Sequence, residues 1–312
     1  MIKAQIVKST GSWYEALTEQ NERILARLKG VLRLGETKDT NPVAVGDYVL
    51  LEKEETSNEY MISSVVDRAN YIVRSSPHRK HARHVIAANI DQCLLIATID
   101  SPRTSSGFID RFLMAAEAFR IPTIIVFNKQ DILTEKTLEK QKYLAEIYQN
   151  IGYKILFTSA QTGEGVEPLR EAITQKTTLI FGHSGVGKSS LMNALDSSLD
   201  LRTKGLTRFA NRGMHTTTFA EMFVLKNNTK IIDTPGVREF AHLDIRPEEV
   251  SHFFAEMREL LPQCKFNNCT HTSEVDCAVK KALDEGKISE ERYANYLNIF
   301  TEIKTNFKHW EV

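Results

Sequence analysis

Three groups of residues in this chain have the types and spacing to do chemistry. The first, Gly182-His183-Ser184-Gly185-Val186-Gly187-Lys188-Ser189, followed by Ser190, fills every fixed position of a phosphate-binding loop. Its glycines let backbone N–H groups close around phosphate oxygens, and the N-terminus of a following helix adds positive potential. Lys188 then reaches the β and γ phosphates, and the Ser189 hydroxyl is offered to magnesium. Asp233-Thr234-Pro235-Gly236 closes a short apolar strand further on. There Asp233 can hold magnesium through water, and the Gly236 N–H can face a γ phosphate. Between the two, Gly213 to Thr218 offers hydroxyls on a polar segment. One threonine is expected to close over the metal, Thr218 as first choice and Thr217 as second.

The second group reads a base. Asn128-Lys129-Gln130-Asp131 ends a buried strand. An asparagine amide can meet the guanine carbonyl and ring nitrogen, the Lys129 stem can cover the ring, and the Asp131 carboxylate can accept both guanine N–H donors. Adenine cannot supply that donor pair. Thr158-Ser159-Ala160, at the next strand end, matches a backbone element that contacts the guanine carbonyl through Ser159 and Ala160. All of these stand at carboxyl ends of parallel strands, where such sheets bind ligands, and together they point to GTP. Their order is permuted, because the base-reading motifs precede the phosphate loop.

The third group is Cys264, Cys269, His271 and Cys277, spaced by four, one and five residues. Three thiolates and an imidazole are the donor set of a closed tetrahedral zinc site, which leaves no open position for catalysis. The fourth cysteine, Cys93, sits alone in an apolar run and is expected to pack in a sheet. This distribution suits a reducing compartment better than a disulfide framework.

The elements that must hold these groups follow from length and pattern. A chain of 312 residues, 42% hydrophobic and 26% charged, has material for two or three folded domains and is not wholesale disordered. Forty basic against forty acidic residues exclude a global field, so any affinity for nucleic acid must come from local patches. No signal peptide or membrane-length apolar run is present, and a cytoplasmic protein is expected.

Residues 1–72 read as five short alternating strands, the pattern of a small OB-like barrel, which can contact RNA or serve only for docking. Ser76 to Ile90 carries Arg79, Lys80, Arg83 and no acid, and composition reads it as a solvated linker. Strands and amphipathic helices then alternate as in a doubly wound parallel sheet, and the chain is helical from Arg246 onward. The divisions expected are an OB-fold domain over 1–72, a GTPase domain over 73–243 and a helical zinc-binding domain over 244–312.

Taken together, these motifs resemble the circularly permuted ribosome-biogenesis GTPases of the small-subunit-dependent RsgA type. The resemblance covers essentially the whole chain. It implies an α/β fold, a circularly permuted P-loop GTPase domain between an N-terminal OB-fold β-barrel and a C-terminal helical zinc-binding domain. It also implies GTP/GDP, Mg2+ and one structural Zn2+, the small ribosomal subunit and its rRNA as partners, no membrane, and a monomer released in the GDP state.

Val237 follows Gly236 where Ras-like enzymes have the glutamine that orients water, so intrinsic hydrolysis should be slow. His215 is the candidate catalytic replacement beside Lys188 and Thr218, with a switch-stabilising hydrogen bond as the alternative. Arg202, Lys204, Arg208 and Arg212, with no acid between Leu201 and Thr218, favour an RNA footprint. The rival readings are a P-loop metabolic kinase, which would not need Asn128 to Asp131, and an RNA-binding scaffold with a decayed pocket.

Overall fold

Alternating strands with one buried face close on themselves at the N-terminus. In the structure, a computed structural model that describes residues 1–30, 41–54, 59–75, 83–199, 201, 220–234 and 245–308, these are β1 (Ile2–Ser9), β2 (Tyr14–Thr18), β3 (Arg23–Leu28), β4 (Tyr48–Lys53) and β5 (Tyr60–Val65). β1 pairs antiparallel with both β2 and β4, β2 with β3 and β4 with β5, while β3 and β5 run parallel, so the five strands form a closed barrel. Ile6, Ala16, Val49, Leu51 and Ile62 fill it.

A hairpin follows, β6 (Tyr71–Ser75) against β7 (Arg83–Ala88). This corrects the linker reading of Ser76 to Ile90, at least over its second half. Val85, Ile86, Ala87 and Ala88 form an apolar run that is buried, and Ala87 bridges to Val45 beside the barrel. The basic residues Arg79 and Lys80 lie outside the described residues.

Uninterrupted apolar strands then alternate with helices. They are β8 (Gln92–Ala97), α1 (Ser106–Ala118), β9 (Thr123–Asn128), α2 (Glu135–Ile151), β10 (Lys154–Thr158), α3 (Val166–Ile173), β11 (Thr177–Phe181), α4 (Lys188–Leu195), β12 (Glu221–Val224) and β13 (Lys230–Asp233). The sheet order is β10-β9-β8-β11-β13-β12, parallel except for β12. α1 and α2 cover one face and α3 and α4 the other, which explains why β8, β9 and β11 are buried along their whole length. Cys93 packs inside this sheet, and burial pushes its thiol pKa well up. Asn227 and Asn228, both with positive φ, turn the chain between β12 and β13 as their short polar side chains allow.

The barrel and the sheet are continuous, because β1 also pairs with β12 through Lys8 and Glu221, whose side chains meet at 2.9 Å. At the C-terminus α5 (Ala255–Arg258), α6 (Ala278–Asp284) and α7 (Glu290–Lys308) pack around Phe254, Met257, Tyr296 and Ile299, and Met114 of α1 joins that cluster. No helix among the described residues is long and apolar enough to cross a membrane.

Candidate functional site

The carboxyl ends of β8, β9, β10, β11 and β13 bring the nucleotide motifs to one edge. Gly182 leaves β11 with φ +151°, and a β-carbon there would lie 2.4 Å from the Ile96 carbonyl oxygen, so only glycine fits this turn. Lys188 opens α4 and folds back, its Nζ donating to the carbonyls of Gly182 at 2.6 Å and His183 at 3.0 Å. Ser184 and Gly185 are exposed at the tip, and Ser189 and Ser190 occupy the first turn of α4.

Asp233, the last residue of β13, faces Lys188. Burial raises the Asp233 pKa and Lys188 opposes the rise, while burial lowers the Lys188 pKa against the pull of Asp233. Asp233 Oδ1 is buried and has no hydrogen-bond partner among the described residues. An orphaned carboxylate oxygen beside a phosphate loop fits a role toward Mg2+, which Asp233 would hold through water and the Ser189 hydroxyl would meet directly. His215, Thr217, Thr218 and Gly236 lie outside the described residues.

Asn128 is buried, and its amide ties three segments together. Nδ2 donates to the Val186 carbonyl at 2.8 Å, and Oδ1 accepts from the Thr158 hydroxyl at 3.0 Å. The residue read as a base contact is therefore also a brace between the base site and the phosphate loop. Gly187 makes room for it, since a β-carbon there would lie 2.3 Å from Asn128 Nδ2. Lys129 takes a left-handed conformation, φ +70°, and its ammonium donates to the Ser101 carbonyl. Asp131 Oδ1 accepts from the Ser159 hydroxyl at 2.5 Å, and Ser159 Oγ in turn accepts from Thr162 N, which fixes the loop that includes Ala160.

A separate centre lies in the segment that joins α5 to α6. The ligand atoms of Cys264, Cys269, His271 and Cys277 all lie within 4.8 Å of one another, and the last three residues are buried. His271 Nδ1 is 3.3 Å from Cys277 Sγ and 3.7 Å from Cys264 Sγ. Tetrahedral bonds of roughly 2.0–2.3 Å imply edges of about this length. Burial, with the neighbouring thiols, pushes Cys269 up to about 12, and burial raises Cys277 too. Four donors converging at this spacing fit Zn2+, which deprotonates the thiols it binds. Glu274 shapes the enclosing loop by accepting from Thr270 N, Thr272 N and Ser273 N at 2.7, 2.8 and 3.0 Å. Burial works against its charge, but these bonds and that of the Thr270 hydroxyl bring its pKa down to about 2.

Two arrangements carry no sequence motif. Phe108 of α1 stacks on His183, and Asp110 of α1 pairs in the interior with Arg292 of α7. Only the second had a signal, a lone acid in the apolar stretch around Ile109 and Phe112.

The family model described as RsgA GTPase matches residues 65–243, and that of the RsgA N-terminal domain matches residues 3–61. Small ribosomal subunit biogenesis GTPase RsgA of Bacteroides fragilis is 45% identical over 303 residues, 96% of this chain and 97% of that protein. The protein of the same name from Flavobacterium johnsoniae is 47% identical over 296 residues, 94% of this chain and 91% of the relative. Among solved structures, that of YjeQ from Thermotoga maritima superposes with a TM-score of 0.79 at 37% identity, covering 97% of this chain and 98% of its own. YloQ, described as a circularly permuted GTPase, gives 0.75 at 30% identity, with 98% and 96% covered. With base motifs on β9 and β10, a phosphate loop after β11 and near-complete coverage by these relatives, this chain belongs to the RsgA GTPase family.

Proposed function

We propose that this GTPase acts late in maturation of the small ribosomal subunit: the subunit docks, stimulates GTP hydrolysis, and releases the protein in the GDP state. The observation that carries this reading is the 45–47% identity, over nearly the full chain, to relatives named for small ribosomal subunit biogenesis. In this reading Asn128, Lys129, Asp131, Ser159 and Ala160 hold guanine, and Gly182 to Ser190 hold the phosphates. Magnesium, when bound, screens charge on the β and γ phosphates. Ser189, Asp233 and Thr218 are the residues assigned to it, and His215, beside Thr217, orients the attacking water. The Lys188 ammonium neutralises charge that grows on the phosphate oxygens in the transition state.

The divisions at 72–73 and 243–244, a monomeric state and a cytoplasmic location belong to the same proposal. The test is GTP turnover titrated separately with small subunits, large subunits and bare rRNA. Stimulation by small subunits alone is expected; equal rates with and without them would defeat the ribosomal role while leaving the GTPase intact. Competition by ATP at equal strength to GTP would favour the kinase reading instead.

A further inference from the structure

Among the described residues, two side chains from outside the phosphate loop hold it, and Asn128 alone of the two belongs to a nucleotide motif. In its second half Val186 is buried and its carbonyl is held by Asn128. In its first half the contact is made by His183, whose ring lies on that of Phe108 with centroids 3.7 Å apart and planes at 29°. Phe108 in turn stacks on Phe181 at 5.7 Å and 11°, and Phe181 on Phe112 at 4.7 Å and 21°. Phe108 and Phe112 stand one helical turn apart on α1, so a single helix face supplies both rings. The result is a column of four rings running from the loop into the core, where Phe181 and Phe112 are buried.

The column bears on Lys188. The His183 carbonyl is one of the two that hold Lys188 Nζ, and it also accepts from Val186 N at 3.5 Å. Its neighbour Gly182 has no side chain with which to fix the backbone, and the next two residues are exposed. We propose that Phe108 is a positioning residue for GTP hydrolysis, acting through the stacked His183 ring on the phosphate loop and the Lys188 ammonium. Phe108 limits the swing of His183, and with it the carbonyl that aims Lys188. The proposal rests on Lys188 serving the phosphates.

The full chain is compared with Phe108→Ala, Phe108→Leu, Phe108→Tyr, His183→Ala, the double variant Phe108→Ala/His183→Ala, and Lys188→Ala as control. kcat and KM for GTP and the Kd for GDP are measured together with thermal unfolding. Phe108→Leu keeps apolar volume against Phe181 and separates loss of the stack from loss of folding. Phe108→Ala and Phe108→Leu are expected to lower kcat about tenfold, with KM moving less because the base site is untouched. Phe108→Tyr should restore the rate, and the double variant should be no slower than the slower single one. Wild-type turnover in Phe108→Leu beside an inactive Lys188→Ala would overturn the clamp alone, as would losses that multiply in the double variant. Normal turnover in Lys188→Ala would instead defeat the phosphate-loop assignment, and the clamp with it.

Discussion

Arg292 of α7 and Asp110 of α1 are joined inside the protein, Nη1 to Oδ1 at 2.6 Å, with the two residues 2% and 0% exposed. Neither charge could be buried alone, and the surroundings show how both are satisfied. Asp110 also accepts from the Tyr148 hydroxyl at 2.7 Å and from Asn295 Nδ2 at 2.6 Å. Arg292 forks onto Glu256 at 2.8 and 2.9 Å and lies over the Phe254 ring. Burial raises the Asp110 pKa while Arg292 opposes it; burial works against the Arg292 charge, but Asp110 and Glu256 outweigh that and raise its pKa. The network fastens α5 and α7 to α1, the helix that carries Phe108 beside the phosphate loop.

Removing one partner strands the others. Arg292→Met is expected to cost about 3–5 kcal/mol, because the buried carboxylate of Asp110 and the partly buried one of Glu256 lose their cation. Replacing Asp110, Glu256 and Arg292 together with apolar residues of similar volume should cost far less. Denaturant unfolding of both variants, read at the C-terminal helices, separates a network held by mutual neutralisation from one that is merely well packed.

Much of this architecture was legible because parallel strands buried on both faces read as unbroken apolar runs. Gln92 to Ala97, Thr123 to Asn128 and Thr177 to Phe181 are buried along their whole length. The phosphate loop and the Cys3His set were legible because their partners lie close in the chain. The pairs Asp110–Arg292 and Phe108–His183 were not, since only the fold brings distant positions together. Arg83 to Ala88 was misread because basic residues beside it masked a short apolar strand. Asn128 was identified, but its bonds to Val186 and Thr158 depend on strand neighbours that a motif does not specify.

Asp131 supplies the test of base specificity. Asp131→Asn leaves two guanine donors without a charged acceptor, a loss of about 1–3 kcal/mol or more. GTP affinity should fall and xanthosine nucleotides should gain, as read by competition binding. Unchanged GTP affinity would remove Asp131 from the base site.

The Cys3His centre should contain one zinc per chain, lost in Cys269→Ser with local unfolding of α6 and α7 and with nucleotide binding retained. Glu274→Ala keeps all four donors but deletes the acceptor that gathers three backbone N–H groups between Cys269 and Cys277. Zinc affinity is expected to fall about 10–100-fold, measured by competition with a chelator. Full metal content in Cys269→Ser would refute the assignment.

Gly187 carries a conformational demand that can be separated from chemistry. Its φ of +97° and the 2.3 Å approach to Asn128 Nδ2 leave no place for a methyl group. Gly187→Ala should displace the Asn128 amide, the shared brace of base and phosphate sites, and lower GTP and GDP affinity by tenfold or more, since tenfold corresponds to about 1.4 kcal/mol. The barrel, with its own core, should unfold at its usual temperature. Tight GDP binding in this variant would show that the loop tolerates a different path around Asn128.

His215 is the remaining expectation for catalysis, and it rests on sequence, since the residue lies outside those the structure describes. Val237 stands where a water-orienting amide would be, so a slow basal rate should await the small subunit. If His215 orients water once the subunit has docked, His215→Ala should retain GTP binding and basal turnover but lose roughly 10²-fold of the stimulated rate. If Arg202, Lys204, Arg208 and Arg212 meet rRNA phosphates, docking should weaken steeply with salt in wild type and variant alike, because those phosphates release their counterions. Turnover of both proteins is measured across a titration of small subunits at two salt concentrations. Equal stimulation of the two would make His215 structural and assign the water to another group. A stimulated rate that ignores salt would remove the basic segment from the interface.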